Sequence, residues 1–355
     1  MIMKIGILTQ PLEDNYGGIL QNWALQQVLK DLGHDPITLD YGLKYDWGRF
    51  ILSCGKSVLY KLTGRDRHFP HPPRHGRYGS KYSSEFIYKY INKTKPVKKL
   101  SERLLEVYNI DTIIVGSDQV WRPSYNEKIE NSYLEFAPNF RGRRIAYGVS
   151  FGVDEWEYSE TQTKSCSVLA KRFDSISVRE VSGVKLCKEN LNVSAVQVLD
   201  PTLLLSDSRY KTLCNKVDVK ENFVAVYCID LTEGKLNLIK NIASKSGLPI
   251  KIFSANRGAE LTVEQWLAMF RDASYIITDS FHGTIFSIIF KKPFYTIANE
   301  ARGTSRFESL LSSIGLYSRL CPEVLYDEID WTLIDNKLCE FQNKSIQFIN
   351  ASLKS

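Results

Sequence analysis

The residues best able to do chemistry stand where apolar runs end. In TDSFHGTIFSIIF (278–290) a histidine, His282, follows the buried strand ASYII and opens an apolar helix closed by Lys291, Lys292 and Pro293. Imidazole changes charge near neutral pH, so a histidine at a strand tip is a candidate general acid. Ser280, Gly283 and Thr284 surround it with hydroxyls and backbone N–H groups at a helix N-terminus, which favours anions. The plainer alternative is a buried histidine whose ring ties turn to strand. Arg179 follows the strand SISV and precedes Glu180. A guanidinium there is a bidentate ligand for carboxylate or phosphate, unless a buried ion pair, with Glu180 as the nearest partner, accounts for it.

Two further clusters suit a hydroxyl-rich ligand. IVGSDQVWRP (114–123) places Ser117, Asp118, Gln119 and Trp121 just beyond a strand. Hydroxyl, carboxylate and indole together fit a sugar, which needs hydrogen bonds at its rim and an aromatic under its ring; helix capping with Trp121 as packing is the alternative. QPLEDNYGGILQ (10–21) joins strand to helix through Asn15, Gly17, Gly18 and Gln21. Glycines let backbone N–H groups approach a ligand, but the loop is neither GxGxxG nor a P-loop. Arg306 and Arg319, in SRFESLLSSIGLYSR, are candidate phosphate contacts or members of surface ion pairs.

The elements that must position these groups alternate. KIGILT (4–9), GGILQNWALQQVLKDLG (17–33) and PITLDY (36–41) read as strand, helix and strand, a βαβ unit that implies a parallel sheet. Further strands are expected at 111–118, 144–151, 174–179 and 194–201. After a connection at about 203–222, a second series follows, with strands at 221–230, 248–254, 273–280 and 293–299. The expected architecture is α/β: an N-terminal Rossmann-like domain (1–205), a second one facing it across a cleft (206–330), and a C-terminal amphipathic helix (331–355). That helix carries Ile334, Leu338, Phe341 and Phe348 on one stripe and packs back on the first domain.

Composition bounds the function. The 355 residues are 43% hydrophobic and 24% charged, with a net charge of +6. No apolar run approaches membrane-spanning length, and a cytoplasmic chain is expected. The basic balance is compatible with peripheral attachment to the inner face of the plasma membrane. Seven scattered cysteines include no CxxC pair and suggest neither a disulfide framework nor a zinc site. The basic loop RDRHFPHPPRHGRYG (65–79), with His68, His71 and His75, contains no carboxylate or cysteine beyond one aspartate to support metal binding, and no nucleic-acid motif appears.

Together the segments DNYGGILQNWALQQVL, VGSDQVWRP, IAYGVSFG, ISVREVSGVKL, VLDPTLLL, DSFHGTIFSIIF and GTSRFESLLSSIGL, in that order, resemble the polysaccharide pyruvyl transferase family. The resemblance implies a GT-B-like fold and transfer of the enolpyruvyl unit of phosphoenolpyruvate to two sugar hydroxyls, usually O4 and O6 of galactose. It implies His282 as the catalytic histidine and Arg179 as the donor-binding arginine; chemistry and position add Asp118 to the catalytic set. Ser280, Gly283, Thr284 and Glu180 fall on the donor side, and Asn15, Gly17, Gly18, Gln21, Ser117 and Trp121 on the acceptor side. No cofactor or metal is expected, and the acceptor is a sugar or a lipid-linked or polymeric glycan. Glycosyl transfer from a nucleotide sugar and non-catalytic glycan binding are the competing readings, because this architecture hosts both.

Overall fold

The structure, a computed structural model, describes residues 2–42, 79–126, 128–219, 221–253, 261–298, 303–321 and 328–354. Apart from Gly79, the basic loop at 65–79 lies outside the described residues.

Strands β1 (Lys4–Leu8), β2 (Asp35–Thr38), β3 (Thr112–Val115), β4 (Arg143–Val149), β5 (Ser175–Val178) and β6 (Val196–Gln197) form a parallel sheet in the order β2-β1-β3-β4-β5-β6. Strands β7 (Val224–Tyr227), β8 (Ile250–Phe253), β9 (Tyr275–Thr278) and β10 (Phe294–Thr296) form a second, in the order β10-β9-β7-β8. In each sheet the chain steps outward in one direction and then reverses, between β1 and β3 and between β7 and β9. The connections leaving these strand pairs diverge, which opens a crevice at their carboxyl ends. Register keeps the exits level: Leu8 pairs with Val115, and Tyr227 with Thr278. This is the expected pair of Rossmann-like domains in a GT-B-like arrangement.

Helices join the two halves. Helix α1 (Tyr16–Asp31) is capped by Asn15, whose side chain accepts from Gly18 N, and most of its residues are buried. Its Tyr16 stacks on Trp266 at 5.4 Å and donates its hydroxyl hydrogen to Leu261 O at 2.7 Å, so the first turn of α1 is an interdomain contact. Helix α2 (Lys81–Tyr90) is capped by Ser80, and its start is held by Asp14, which accepts from Ser80 N and the Ser83 hydroxyl. After α3 (Glu102–Val107), α4 (Glu160–Ala170) and α5 (Val181–Leu186), the segment expected as a connection contains α6 (Asp207–Leu213). Its periodicity is too short to read, and tertiary contacts hold it: Tyr210 packs edge-on against Phe286 and Trp23.

The second domain carries α7 (Glu233–Ser244), α8 (Val263–Asp272), α9 (Phe281–Ile289) and α10 (Ser305–Ile314). The last helix, α11 (Trp331–Lys354), crosses between domains. Near its start Asp335 pairs with Lys291, further on the Ser345 hydroxyl accepts from Leu199 N, and Phe348 lies against Tyr147. The strand expected at 194–201 shrinks to two residues because Leu199 turns to α11 while Asp200 caps the 3-10 turn Pro201–Leu204. Among the described cysteines none is paired, and burial pushes the thiols of Cys166, Cys187 and Cys228 up to about 12. No helix among the described residues is long and apolar enough to cross a membrane.

Candidate active site in the interdomain cleft

A cleft of about 540 Å³ lies between the two switch points. Gln10, Glu13, Asn15, Gly17, Asp118 and Gln119 line it from the first domain, and Tyr227, Asp279, Ser280, Phe281, His282 and Arg306 from the second. A second cavity, of about 500 Å³, sits beside Tyr275 and Pro293 at the amino ends of β9 and β10, away from these groups.

The β9–α9 turn places His282. Thr278 donates its hydroxyl hydrogen to Tyr227 O and accepts from Ser280 N, while the Ser280 hydroxyl caps α9 by accepting from Gly283 N. Gly283 is required here, since a Cβ would stand 2.2 Å from the Thr278 hydroxyl oxygen. The imidazole is 8% exposed and points its Nε2 at Asp200 Oδ2, 3.7 Å away. On its other side a Cβ at Gly17 would lie 2.1 Å from Nδ1. Gly17 is thus a glycine because the ring of His282 occupies the space a side chain would take.

Asp200 is the hub behind the histidine. Its Oδ2 accepts from Arg179 at 2.7 Å and from the Ser117 hydroxyl at 3.2 Å; its Oδ1 accepts from Thr202 N and the Thr202 hydroxyl. Burial alone would raise this carboxyl, but His282, Arg179 and Thr202 hold it far below the usual carboxylate range. Asp118, in a left-handed backbone conformation (φ 80°), accepts from Arg179 at 3.1 Å and from Gln119 N. It is likewise lowered against its burial, by Arg179, His282 and Arg306.

Two guanidiniums approach the ring of Phe281, with carbon-to-centroid distances of 5.0 Å for Arg179 and 5.2 Å for Arg306. They differ in exposure to the cleft. Arg179 is buried behind Asp118 and Asp200 and does not line it; Arg306 does. Burial and the neighbouring Arg179 push Arg306 down to about 10, with Asp118, Glu180 and Tyr125 offsetting part of the cost.

Several expected ligand residues are held elsewhere. Trp121 does not reach the cleft: it is fully buried, stacks on Tyr133 at 4.5 Å and donates its indole N–H to Ser132 O. Gln21 is a clamp, donating to the Thr9 hydroxyl and Gly18 O and accepting from Ser117 N. Ser117 serves Asp200 and Gly148 O; Thr284 pairs with the Thr296 hydroxyl at the back of α9. Glu180 is not the partner of Arg179 in an ion pair at contact distance but accepts from Phe151 N and Gly152 N; burial raises its carboxyl, partly offset by Arg179 and Arg306. Arg319 is buried in the 3-10 turn Tyr317–Arg319, away from the cleft. Gly18 meets the Asn15 cap rather than the opening. Asn15, Gly17, Asp118, Ser280, His282 and Arg306 do line it.

The sequence reading assigned no role to Asp200 or Phe281. VLDPTLLL offered the same signal as the other strand tips, a carboxylate after an apolar run, but nothing in it indicates a partner 82 residues later. Among the described residues no group of three His, Cys, Asp or Glu side chains is arranged to hold a metal ion.

Three solved structures are similar to the chain at low identity. The UDP-GlcNAc 2-epimerase of Methanocaldococcus jannaschii, in complex with UDP-GlcNAc and UDP, is 12% identical over 99% of this chain and 93% of that one, with a TM-score of 0.46. The S. aureus MnaA–UDP co-structure is 11% identical over 98% and 90% (TM-score 0.48), and a glycosyltransferase from Rickettsia africae ESF-5 is 13% identical over 99% and 94% (TM-score 0.46). No curated protein sequence matches the chain. The family model for polysaccharide pyruvyl transferase, however, matches residues 15–301, from the Asn15 cap of α1 past the helix that carries His282. This chain belongs to the polysaccharide pyruvyl transferase family.

Proposed function

We propose that the protein moves the enolpyruvyl unit of phosphoenolpyruvate onto two hydroxyls of one sugar, with O4 and O6 of galactose as the expected pair, in the synthesis of a bacterial surface polysaccharide. The observation that carries this reading is the second-domain wall of the cleft, where His282, the start of α9 and Arg306 converge. A general acid beside an anion-binding surface is what an enol phosphate requires.

In this reading His282 gives a proton to C3 of the donor, and the C2=C3 π electrons form the new C–H bond. C2 becomes an oxocarbenium-like centre that the first sugar hydroxyl attacks, and the proton of that hydroxyl replaces the one His282 gave. Departure of phosphate regenerates the cation at C2; the second hydroxyl closes the ketal, and its proton leaves with the phosphate. One hydroxyl hydrogen thus ends on the methyl group and the other on phosphate. Arg306, which lines the cleft beside His282, takes the donor's carboxylate or phosphate bidentately. Arg179 acts behind it, fixing Asp118 and Asp200. The amides and carboxylates of the opposite wall (Gln10, Glu13, Asn15, Gln119) suit acceptor hydroxyls. With these cations for the donor, activity should survive a chelator.

Peripheral attachment to the inner face of the plasma membrane belongs to the same proposal. Residues 81–103 carry seven lysines and arginines against two glutamates, and the start of α2 is held by cleft-lining Asp14 through Ser80 N. Binding of the protein to anionic vesicles at low ionic strength, released by salt, is the expected behaviour.

The function is tested by incubating the protein with phosphoenolpyruvate and galactosyl acceptors and following ketal mass and phosphate release. His282→Gln should fold and bind donor but lose turnover by about a hundredfold or more. A stable His282→Gln protein with near-normal turnover would remove the histidine from catalysis. Transfer from a nucleoside diphosphate sugar, with no ketal, would overturn the reading.

A further inference from the structure

We propose that Asp200 holds the hydrogen of neutral His282 on Nε2 and thereby reserves Nδ1, the nitrogen beside Gly17, for proton exchange with the ligand in the cleft. Asp200 is then a positioning residue. The inference deepens the proposed function and rests on it for its chemical consequence, but the geometry behind it is independent of the donor's identity.

Three observations carry it. First, Nε2 of His282 is buried without a hydrogen-bond partner, and it faces Asp200 Oδ2 at 3.7 Å. If Nε2 bore a lone pair, two lone pairs would confront each other in a site shielded from solvent. A hydrogen on Nε2 turns that repulsion into attraction, and less than an ångström of closure gives an ordinary N–H···O length of about 2.9 Å. Catalytic hydrogen bonds are often this loose in the free enzyme and tighten around the substrate.

Second, Asp200 cannot turn away. Thr202 engages one oxygen twice, Arg179 and Ser117 engage the other, and the residue caps the turn that leads into α6. The carboxyl stays ionised throughout the neutral range, since its neighbours hold it far below its ordinary value against the effect of burial. An acceptor-only group so fixed dictates a hydrogen on the nitrogen opposite.

Third, the other nitrogen lies beside Gly17 at the edge of the cleft that both residues line, and unlike Nε2 it is not a buried atom without a partner. Gly17 lines the cleft, and the position a Cβ would take there is 2.1 Å from Nδ1. Gly17 belongs to the first turn of α1, and the positive end of the helix dipole there favours a lone pair, not a hydrogen, on the nitrogen beside it. The other charged groups around the ring are Asp118 after β3, Arg179 behind Asp200, and Arg306 against Phe281. In the reaction the proton that reaches C3 leaves from Nδ1, and the one returned by the sugar hydroxyl arrives there, while Nε2–H remains on Asp200 throughout.

The test is ¹⁵N NMR of the full-length protein labelled at histidine, with His282→Gln identifying the His282 signals. In the neutral form Nε2 should show a protonated, pyrrole-type shift and Nδ1 an imine-type shift. Asp200→Asn should erase that preference and lower kcat about a hundredfold or more while leaving the KM for phosphoenolpyruvate near wild type. The reverse tautomer in the wild-type protein overturns the proposal, as does an Asp200→Asn protein that keeps both tautomer and kcat. Should Asp200→Asn fail to fold, the wild-type spectrum decides alone. The expected spectrum in a protein that forms no ketal would sink the proposed function and leave this assignment standing.

Discussion

The two arginines that approach Phe281 are the same residue at nearly the same distance from one ring, yet the two domains treat them differently. Arg179, from the first domain, meets two carboxylates within 3.1 Å; against its burial, Asp200, Asp118 and Glu180 raise it above the usual guanidinium value. Arg306, from the second, is pushed down to about 10, first by burial and then by Arg179 itself. A guanidinium gripped by two buried carboxylates is part of the frame. One that lines the cleft, next to a second cation, is placed to meet an anionic ligand.

The largest expected effect comes from removing the member gripped by two carboxylates. Arg179→Met leaves Asp118 and Asp200 buried without their cation and should cost about 3–5 kcal/mol of stability. Urea denaturation measures it, and an unchanged midpoint would show that the clamp is not structural. Arg306→Lys keeps the charge and loses the planar fork. Stability should stay within about 1 kcal/mol of wild type while apparent affinity for phosphoenolpyruvate falls about tenfold or more. Unaltered donor affinity would place the anion elsewhere in the cleft.

Acid sharpens the contrast. Asp118 and Asp200 have carboxyls lowered on folding, so their contribution is complete above the unfolded value of about 4 and drains away as pH falls below it toward the folded values. The stability gap between wild type and Asp118→Asn should therefore be widest near neutrality and shrink below about pH 4. A gap that stays constant from pH 7 to pH 3 would mean that the carboxylate charge contributes nothing. The smallest effect is expected from Phe281→Leu, which removes the aromatic ring that both arginines approach. A loss of about 1 kcal/mol in stability, with a severalfold weaker donor affinity, is the expected pattern. Lost donor affinity without any loss of stability would show that the ring serves Arg306 alone.

These arginines also show how far local sequence reasoning reaches. Arg179 follows a strand directly, which suits a carboxylate or phosphate ligand, and the family resemblance implies it as the donor-binding arginine; Arg306 stands at the start of SRFESLLSSIGL as a candidate phosphate contact or surface-pair member. The partners of Arg179 come from positions 118 and 200, on either side of it in the chain and on different strand exits, so no local pattern distinguishes a clamped guanidinium from one that lines the cleft. Trp121 failed as a stacking platform for the same reason. An aromatic after a strand tip can face the cleft or the core, and Tyr133, Phe151 and Phe173 draw it into the core.

By itself the sequence determined the two alternating α/β series, the amphipathic C-terminal helix and the polar residues at the strand exits, among them His282. Those features depend on periodicity and on chemistry within a few residues, and local steric and hydrophobic preferences suffice to express them. Only the tertiary structure decided that Asp200 stands behind His282, that Gly17 makes room for its ring and that Arg306 rather than Arg179 faces the cleft. Each of those depends on strand order and on the docking of one domain against the other, which bring together groups tens to hundreds of residues apart. Burial and neighbouring charge then set what each group can do.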